Sequence, residues 1–211
     1  MILVGAIMGI RQEFISAVSA NQAAFGLDLS AETIESLADY FELVRENNPL
    51  LHLVAPCSPE EFAIRHILES LTLLEYLPKG ARFADVGTGA GLPSIPCLIA
   101  RDDLQAILIE SKEKKANFLR VVKEDCDLEQ RVEIIDRQFS ETTPSDARYI
   151  ICRALDKFVE KLPQLLKWSG KSCLLLFGGP GLEEALGKAN RKYMRHLVPL
   201  SERRYLFRVS S

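Results

Sequence analysis

Three closely spaced glycines form the segment of this chain that is best suited to hold a ligand. Gly87, Gly89 and Gly91 follow an apolar run that ends at Val86, and a helical pattern begins after them. Glycine lets the backbone approach a ligand closely and adopt φ values that are unfavourable for other residues. The G-x-G-x-G spacing differs from the G-x-G-x-x-G of dinucleotide-binding enzymes, so an NAD-dependent enzyme is the least favoured function for this loop.

Two acidic residues accompany the glycine loop. Asp85 stands two positions before the first glycine, where a negative charge suits an ammonium or sulfonium group better than a pyrophosphate. Glu110 ends the next apolar run, where a carboxylate can accept both hydroxyls of a ribose; a solvated acid at a helix N-terminus is the alternative. The whole pattern resembles motif I of the class I S-adenosylmethionine (SAM) methyltransferases. The residues that this pattern assigns to the cofactor are Asp85, Gly87, Thr88, Gly89, Gly91 and Glu110.

Short apolar runs alternate with helical patterns after Gly80, which predicts a parallel sheet with helices on both faces. The predicted strands are residues 82–86, 105–109, 131–135, 149–152 and 172–177. The predicted helices between them are residues 93–100, 112–125, 156–166 and 183–189, with Asp156 as a helix cap. Residues 194–199 and 205–209 are typical of an antiparallel strand pair.

The first part of the chain is predicted to be helical. Ser30 caps an amphipathic helix that we expect to end before the Asn47-Asn-Pro49 segment. A second helix begins at Ser58-Pro59, because proline suits a first helical turn, and stops at Pro78. The predicted fold is therefore α/β: a doubly wound, mostly parallel, Rossmann-like sheet in residues 79–211, with an N-terminal helical cap in residues 1–78.

Composition restricts the class of protein. Of the 211 residues, 47% are apolar and 26% are charged, which is typical of a globular domain. No apolar run reaches the roughly 18 residues of a membrane span, and residues 1–10 lack the features of an export signal. The five cysteines are odd in number and form no C-x-x-C pair, which argues against a disulfide framework and against a zinc site. We therefore predict a cytoplasmic protein with no metal and no membrane contact.

The residues after the fourth predicted strand bear on the methyl acceptor. Ile151-Cys-Arg-Ala154 stands where an adenine-N6 methyltransferase would usually show an Asn/Asp-Pro-Pro-aromatic run. Cys152 lacks the preceding proline of a cytosine-C5 nucleophile and is predicted to be a buried apolar residue. Arg153 is expected to point into the ligand crevice, where its planar group suits a carboxylate, a phosphate or a base edge; a surface arginine is the alternative. Guanine N7 has no proton to remove, so its methylation needs no general base.

Four segments together resemble the RsmG (GidB) family, whose members methylate guanine N7 in the 530 loop of bacterial small-subunit (16S) rRNA. The segments are Arg65-His-Ile-Leu-Glu-Ser70, residues 85–96, residues 110–119, and Cys152-Arg-Ala154. The resemblance implies SAM as cofactor and 16S rRNA or the 30S subunit as partner. We expect a monomer.

The resemblance also assigns individual residues. It implies SAM contacts at Gly87, Leu92, Gln138, Phe139 and Arg153, with Gln138-Phe139 flanking the adenine. It places Arg65 and His66 beside Arg153 in the catalytic part of the site. From the residues alone, Gln138 also fits a plain polar turn, and His66 also fits a histidine that supports the cap.

The chain departs from the family pattern at several positions. His52 replaces the usual asparagine, Glu69 the usual aspartate, Ser94 the usual glycine and Phe177 the usual lysine. The SAM half of the pattern is therefore better preserved than the acceptor half. Two alternatives remain open: a SAM-dependent methyltransferase with another RNA or small-molecule acceptor, and a non-catalytic SAM- or RNA-binding module.

Positive charge is concentrated near the end of the chain. The net charge of the whole sequence is −3, but between Lys188 and Arg208 seven cations face only Glu202. This basic segment, together with Arg65 and residues 112–115, is expected to meet RNA phosphates, which would make binding strongly dependent on salt. A solvated charged face is the alternative interpretation.

Overall fold

A mostly parallel seven-stranded sheet lies at the centre of the computed structural model, which describes residues 2–144, 146–153 and 155–210. The strands are β1 (Arg82–Val86), β2 (Gln105–Ile109), β3 (Val132–Ile135), β4 (Tyr149–Arg153), β5 (Cys173–Gly178), β6 (Tyr193–Leu197) and β7 (Tyr205–Val209). Their spatial order is β3-β2-β1-β4-β5-β7-β6. Strands β1 to β5 are parallel, whereas β7 is antiparallel to both β5 and β6. The predicted doubly wound sheet with its antiparallel pair is confirmed.

Helices cover both faces of this sheet. They are α1 (Ile2–Asn21), α2 (Ala31–Leu51), α3 (Pro59–Phe62), α4 (Glu69–Leu71), α5 (Ser94–Ala100), α6 (Glu113–Asp125), α7 (Phe158–Trp168) and α8 (Pro180–Lys188). A π-helical turn, Ala63–Leu68, joins α3 to α4, and a 3₁₀ turn, Thr72–Glu75, follows. The second predicted helix is thus continuous, but its central turn is π-helical and therefore wider than an α-helical turn. None of the helices described is long and apolar enough to cross a membrane.

The cap and one face of the sheet share a single hydrophobic cluster. Phe14, Phe41 and Phe62 stack within the cap, with ring centroids 4.6 Å apart for the first pair and 5.0 Å for Phe41 and Phe62. The same cluster continues to Phe83 and Ile151 on the sheet. Helices α7 and α8 pack on the opposite face, in a second cluster. The predicted boundary between residues 78 and 79 therefore separates two stretches of the sequence, but it does not separate two hydrophobic cores.

The prediction that the first capped helix ends before Asn47 is wrong. Helix α2 begins after Ser30 as predicted but continues through Pro49 to Leu51. The two asparagines, which favoured a stop, instead satisfy backbone groups. Asn47 Nδ2 donates to the Leu43 carbonyl at 2.9 Å, and Asn48 Oδ1 accepts from the backbone N–H groups that follow the helix.

Asp156 does not cap a helix, contrary to prediction. Helix α7 begins two residues later, and its N-cap position is Lys157, which has a φ of 55° and makes no side-chain capping bond. The carboxylate of Asp156 is exposed instead. Ala154, part of the motif after the fourth strand, lies outside the described residues.

Tyr40 connects the cap to the glycine loop. Its side chain is fully buried, and its hydroxyl donates to the Ala90 carbonyl at 3.0 Å. A buried carbonyl without a hydrogen-bond partner is costly. This hydrogen bond therefore fixes the position of the glycine loop relative to α2.

We expect Tyr40→Phe to lower the free energy of unfolding by about 1–3 kcal/mol, because it leaves the Ala90 carbonyl buried without its donor. Urea denaturation measures the change. Tyr149→Phe is the control, since the Tyr149 hydroxyl makes no hydrogen bond to a described residue. Equal stability of the two variants would show that the hydrogen bond does not hold the loop.

Candidate functional site

A cavity of about 470 Å³ opens at the carboxyl ends of the central strands. It lies where the order of strands reverses, since β1 has β2 on one side and β4 on the other. Open α/β sheets bind ligands at this point, and the volume lies within the usual range for small-molecule sites. Nine of the predicted site residues line it: His66, Gly87, Thr88, Gly89, Leu92, Glu110, Gln138, Phe139 and Arg153.

The glycine loop curves around one wall of the cavity. Gly87 has a φ of +71°, and a Cβ there would lie 2.5 Å from Leu155 Cδ1. Its backbone N–H donates to the Ile109 carbonyl at 2.9 Å, which ties the loop to β2. A side chain at this position would be strained and would collide with the cavity wall, so the loop requires glycine here.

Glu110 forms part of the cavity wall and is buried. Its Oε2 accepts from the Gly89 N–H at 3.0 Å and its Oε1 accepts from the Lys112 N–H at 2.8 Å. A carboxylate has about four acceptor positions, so both oxygens retain capacity for a ligand's hydroxyl groups. Its burial excludes the alternative of a solvated acid at the start of a helix.

Asp85 does not line the cavity, and its predicted direct contact with a cationic group requires correction. The side chain is fully buried, and its Oδ2 accepts from Thr88 Oγ1 at 2.8 Å and from Ser94 Oγ at 2.5 Å. Burial raises the pKa of Asp85 to about 7, against which the two hydroxyl donors act. Asp85 therefore holds the loop from behind. Ser94, a departure from the family pattern, supplies one of the two hydroxyls.

Gly91 also lies outside the cavity wall. A Cβ at this position would collide with the side chain of Ile95. Its φ of +97° and this close approach let α5 pack directly behind the loop, so Gly91 serves packing and not ligand contact.

Arg153 is fixed in the cavity by the cap. Its Nη1 donates to Ser70 Oγ at 3.1 Å and its Nη2 donates to the Arg65 carbonyl at 2.5 Å. The guanidinium lies 5.6 Å from the centroid of the Phe177 ring, within the range of a cation–π contact. Only 15% of the side chain is exposed, which excludes an ordinary surface arginine. Arg65 itself is exposed, pairs with Glu61 and does not line the cavity.

His66 both supports the cap and lines the cavity. Its ring packs edge-on against Phe62 at 5.0 Å, and its Nδ1 lies 3.4 Å from Arg153 Nη2. Burial, followed by the charges of Arg153 and two other arginines, lowers the pKa of His66 to about 4. The imidazole is therefore neutral near pH 7, and an unprotonated Nδ1 can accept from Arg153.

Several cavity residues were not predicted. Leu53, Val54 and Ala55 reach the cavity only because the cap packs on the sheet, and no sequence signal marks them. Asp156 lines the cavity beside Leu155. Its position just after the fourth strand could have indicated a cavity residue, but the same position also fitted a helix cap.

The structure also locates three further residues that the sequence singled out, one on the cavity wall and two away from it. Lys115 lines the cavity, but its Nζ donates to the His52 carbonyl at 3.0 Å, so it links α6 to the cap rather than standing free for a phosphate. The side chain of His52 is exposed and does not line this cavity. Cys152 is fully buried, as predicted, and burial raises the pKa of its thiol, which makes it a poor nucleophile.

Comparisons with known proteins agree with this geometry. A family model described as GidB, rRNA small subunit methyltransferase G, matches residues 33–201. The chain is 36% identical over 175 residues to the ribosomal RNA small subunit methyltransferase G of Sorangium cellulosum, covering 80% of this chain and 73% of that protein. It is 35% identical over 190 residues to the protein of the same name from Methylobacillus flagellatus, covering 86% and 90% respectively.

A solved structure supports the fold alone. A protein of the NADB-Rossmann superfamily from Streptococcus agalactiae superposes with a TM-score of 0.52 at 20% identity, covering 67% of this chain and 66% of that one.

We expect one of the three histidines to titrate near pH 4 in an NMR experiment, and Arg153→Gln to raise that pKa by removing a neighbouring positive charge. Arg191→Gln, which removes a cation remote from the cavity, is the control. Because the pKa of His66 is lower in the folded chain than its usual value of about 6.5, the unfolded chain binds the additional proton. His66 therefore stabilises the fold above about pH 6.5, and this contribution is lost as the pH falls towards 4. An unchanged titration in Arg153→Gln would contradict the assigned contact.

Proposed function

The chain belongs to the family of rRNA small subunit methyltransferase G, and we propose that it transfers a methyl group from SAM to guanine N7 in the 530 loop of 16S rRNA. One observation carries this proposal. A single cavity joins a wall suited to the cofactor, built from Gly87, Glu110 and Phe139, to an arginine fixed at its other side. The rRNA substrate would place the protein in the cytoplasm, and the monomeric state stays a prediction.

The residues at the cofactor wall fit SAM. The carboxylate of Glu110 offers acceptors for the ribose hydroxyls. Phe139 is buried, and its ring is held edge-on against Trp168 at 5.8 Å, which gives a rigid apolar surface for the adenine beside Gln138. When bound, SAM supplies a methyl group activated by the positive charge of its sulfonium sulfur.

The residues at the acceptor side orient a base without removing a proton. Guanine N7 carries a free lone pair, so the chain must place the base in line with the methyl group and exclude water. The base becomes positively charged when N7 is methylated, and a neutral His66 adds no charge against it. Arg153, held by the cap, offers its remaining donors to a base edge or phosphate.

Phe177 is the departure from the family pattern that touches this site. Its ring lies beneath the guanidinium of Arg153 and is buried, so it replaces a cation by an apolar support. This contact favours, as a second candidate, a SAM-dependent methyltransferase that acts on another RNA or a small molecule.

The basic segment near the end of the chain lies partly at the edge of the sheet formed by the carboxyl ends of the parallel strands and partly at the edge formed by their amino ends. Tyr193 of β6 pairs with Val209, which pairs with Leu174 near the start of β5, so Arg191 and Lys192 lie at the edge opposite the cavity. Neither residue is therefore suited to the RNA contact that the sequence predicted.

The other end of the hairpin lies beside the cavity. Tyr205 pairs with Gly178 at the carboxyl end of β5, which brings the exposed Arg203 to the edge that carries the site. Arg195 is engaged with Glu183 at 2.7 Å. RNA phosphates thus have exposed cations beside the cavity at Arg203 and at Arg65, whose pairing with Glu61 is solvent-exposed. Lys112, Arg137 and Lys161 add positive charge on the cavity wall itself.

The first test is transfer of a labelled methyl group from SAM to small ribosomal subunits that lack the modification, followed by nucleoside digestion and mass analysis. We expect 7-methylguanosine at a position in the 530 loop. Binding of SAM without methylation of 16S rRNA would support the second candidate, and transfer to no RNA or small molecule in a single turnover would favour a non-catalytic module.

We expect the double variant Arg65→Gln/Arg203→Gln to weaken RNA binding and to flatten the slope of log Kd against log salt by about 0.7–0.9 for each lost phosphate contact. The variant Arg191→Gln/Lys192→Gln removes the same charge from the opposite edge and should leave the slope unchanged. Filter binding at several salt concentrations measures both. The reverse pattern would place the RNA on the other edge of the sheet.

A further inference from the structure

A buried carboxylate lies between two arginines that come from distant parts of the chain. Glu69 is 2% exposed and occupies α4, directly after the π-helical turn. Its Oε1 accepts from Arg204 Nε at 2.7 Å and lies 2.5 Å from Arg204 Nη2. Its Oε2 lies 3.7 Å from Arg153 Nη2. A single side chain therefore connects the cap, the end of β4 and the loop before β7.

The cap segment supplies three of the contacts that hold the Arg153 guanidinium. Besides the Glu69 carboxylate, these are the Ser70 hydroxyl and the Arg65 carbonyl. The hydroxyl and carbonyl are neutral acceptors, so Glu69 provides the one negative charge among the three. The two neutral acceptors fix the direction of the guanidinium through hydrogen bonds, and Glu69, at 3.7 Å, adds the Coulombic attraction that holds the positive charge at this place.

Arg204 holds the carboxylate of Glu69 in place and favours its charged form. Burial raises the pKa of Glu69, and the guanidinium groups of Arg153 and Arg204 act against this change. Removal of one partner from such a buried pair leaves an uncompensated charge, which is strongly unfavourable. The loop before β7 therefore contributes to the cavity through Glu69 although Arg204 does not line it.

We propose that Glu69, held by Arg204, is the positioning residue that fixes Arg153 in the methyl-transfer site. This inference rests on the proposed function for its kinetic consequence, whereas the positioning itself is a property of the folded chain.

The test is a double-mutant cycle of Glu69→Gln and Arg153→Gln, assayed by methyl transfer. We expect Glu69→Gln to lower kcat by about 100-fold, the size of effect that an ångström-scale misplacement can cause, with a smaller change in KM for RNA. If Glu69 acts through Arg153, the double variant loses little more than Arg153→Gln alone. Additive losses would overturn the proposal. Glu61→Gln, which removes an exposed carboxylate from the same helical path, is the matched control.

Two further variants guard against misfolding. Arg204→Gln leaves the Glu69–Arg153 pair and should cause a smaller loss of kcat than Glu69→Gln. Glu69→Asp keeps the charge and should recover part of the activity that Glu69→Gln loses. If Glu69→Asp is no better than Glu69→Gln, while both melt cooperatively, the charge of residue 69 does not position Arg153.

An NMR measurement separates this proposal from the proposed function, because it needs no substrate. A guanidinium that is held on several sides rotates slowly and gives separate nitrogen-bound proton signals. We expect these signals for Arg153, assigned from the Arg153→Gln spectrum, in the wild type and in Glu61→Gln but not in Glu69→Gln. Persistence in Glu69→Gln would refute the positioning role, whatever the acceptor of the methyl group.

Discussion

The reversal of strand order between β1 and β4 is the constraint on which the rest of the structure depends. The connections from these two strands leave the sheet in opposite directions, so a crevice opens at their carboxyl ends. The glycine loop lines one side of that crevice and Arg153 ends the strand on the other. Other residues support this crevice in two ways. Asp85 holds the glycine loop through hydrogen bonds on the side away from the cavity, and the cap covers the opening at the strand ends.

Charge in the crevice is arranged by the cap rather than by the sheet. The sheet supplies the carboxylate of Glu110 and the guanidinium of Arg153, which stand on opposite sides. The cap supplies the groups that hold Arg153 and a histidine whose charge is suppressed by its neighbours. Of the basic side chains that line the cavity, Arg153 is the one that the cap holds in place.

Much of the fold could be predicted because buried parallel strands appear as continuous apolar runs, and the predicted bounds of the five parallel strands differ from the observed ones by one residue at most. Helix ends were harder. Asn47 and Asp156 carry stop and cap signals, but the partner that a short polar side chain selects depends on tertiary contacts.

In the candidate site, too, some features follow from the local sequence and others depend on tertiary contacts. The loop glycines and Glu110 follow from local spacing, whereas the direction of Asp85 depends on two hydroxyls that only the folded loop brings to it. The link from Glu69 to Arg204 spans 135 residues, which no local pattern can reveal.

The common hydrophobic cluster of cap and sheet restricts how a nucleotide can reach this cavity. A hinge that lifted the cap would divide this cluster and expose apolar side chains on both of its faces, at about 1.5–3 kcal/mol for each one that becomes fully exposed. We therefore expect the substrate, rather than the cap, to change conformation on binding. If the acceptor is the proposed guanine, this base leaves its stack and enters a preformed opening, so a base whose unstacking costs little energy is favoured.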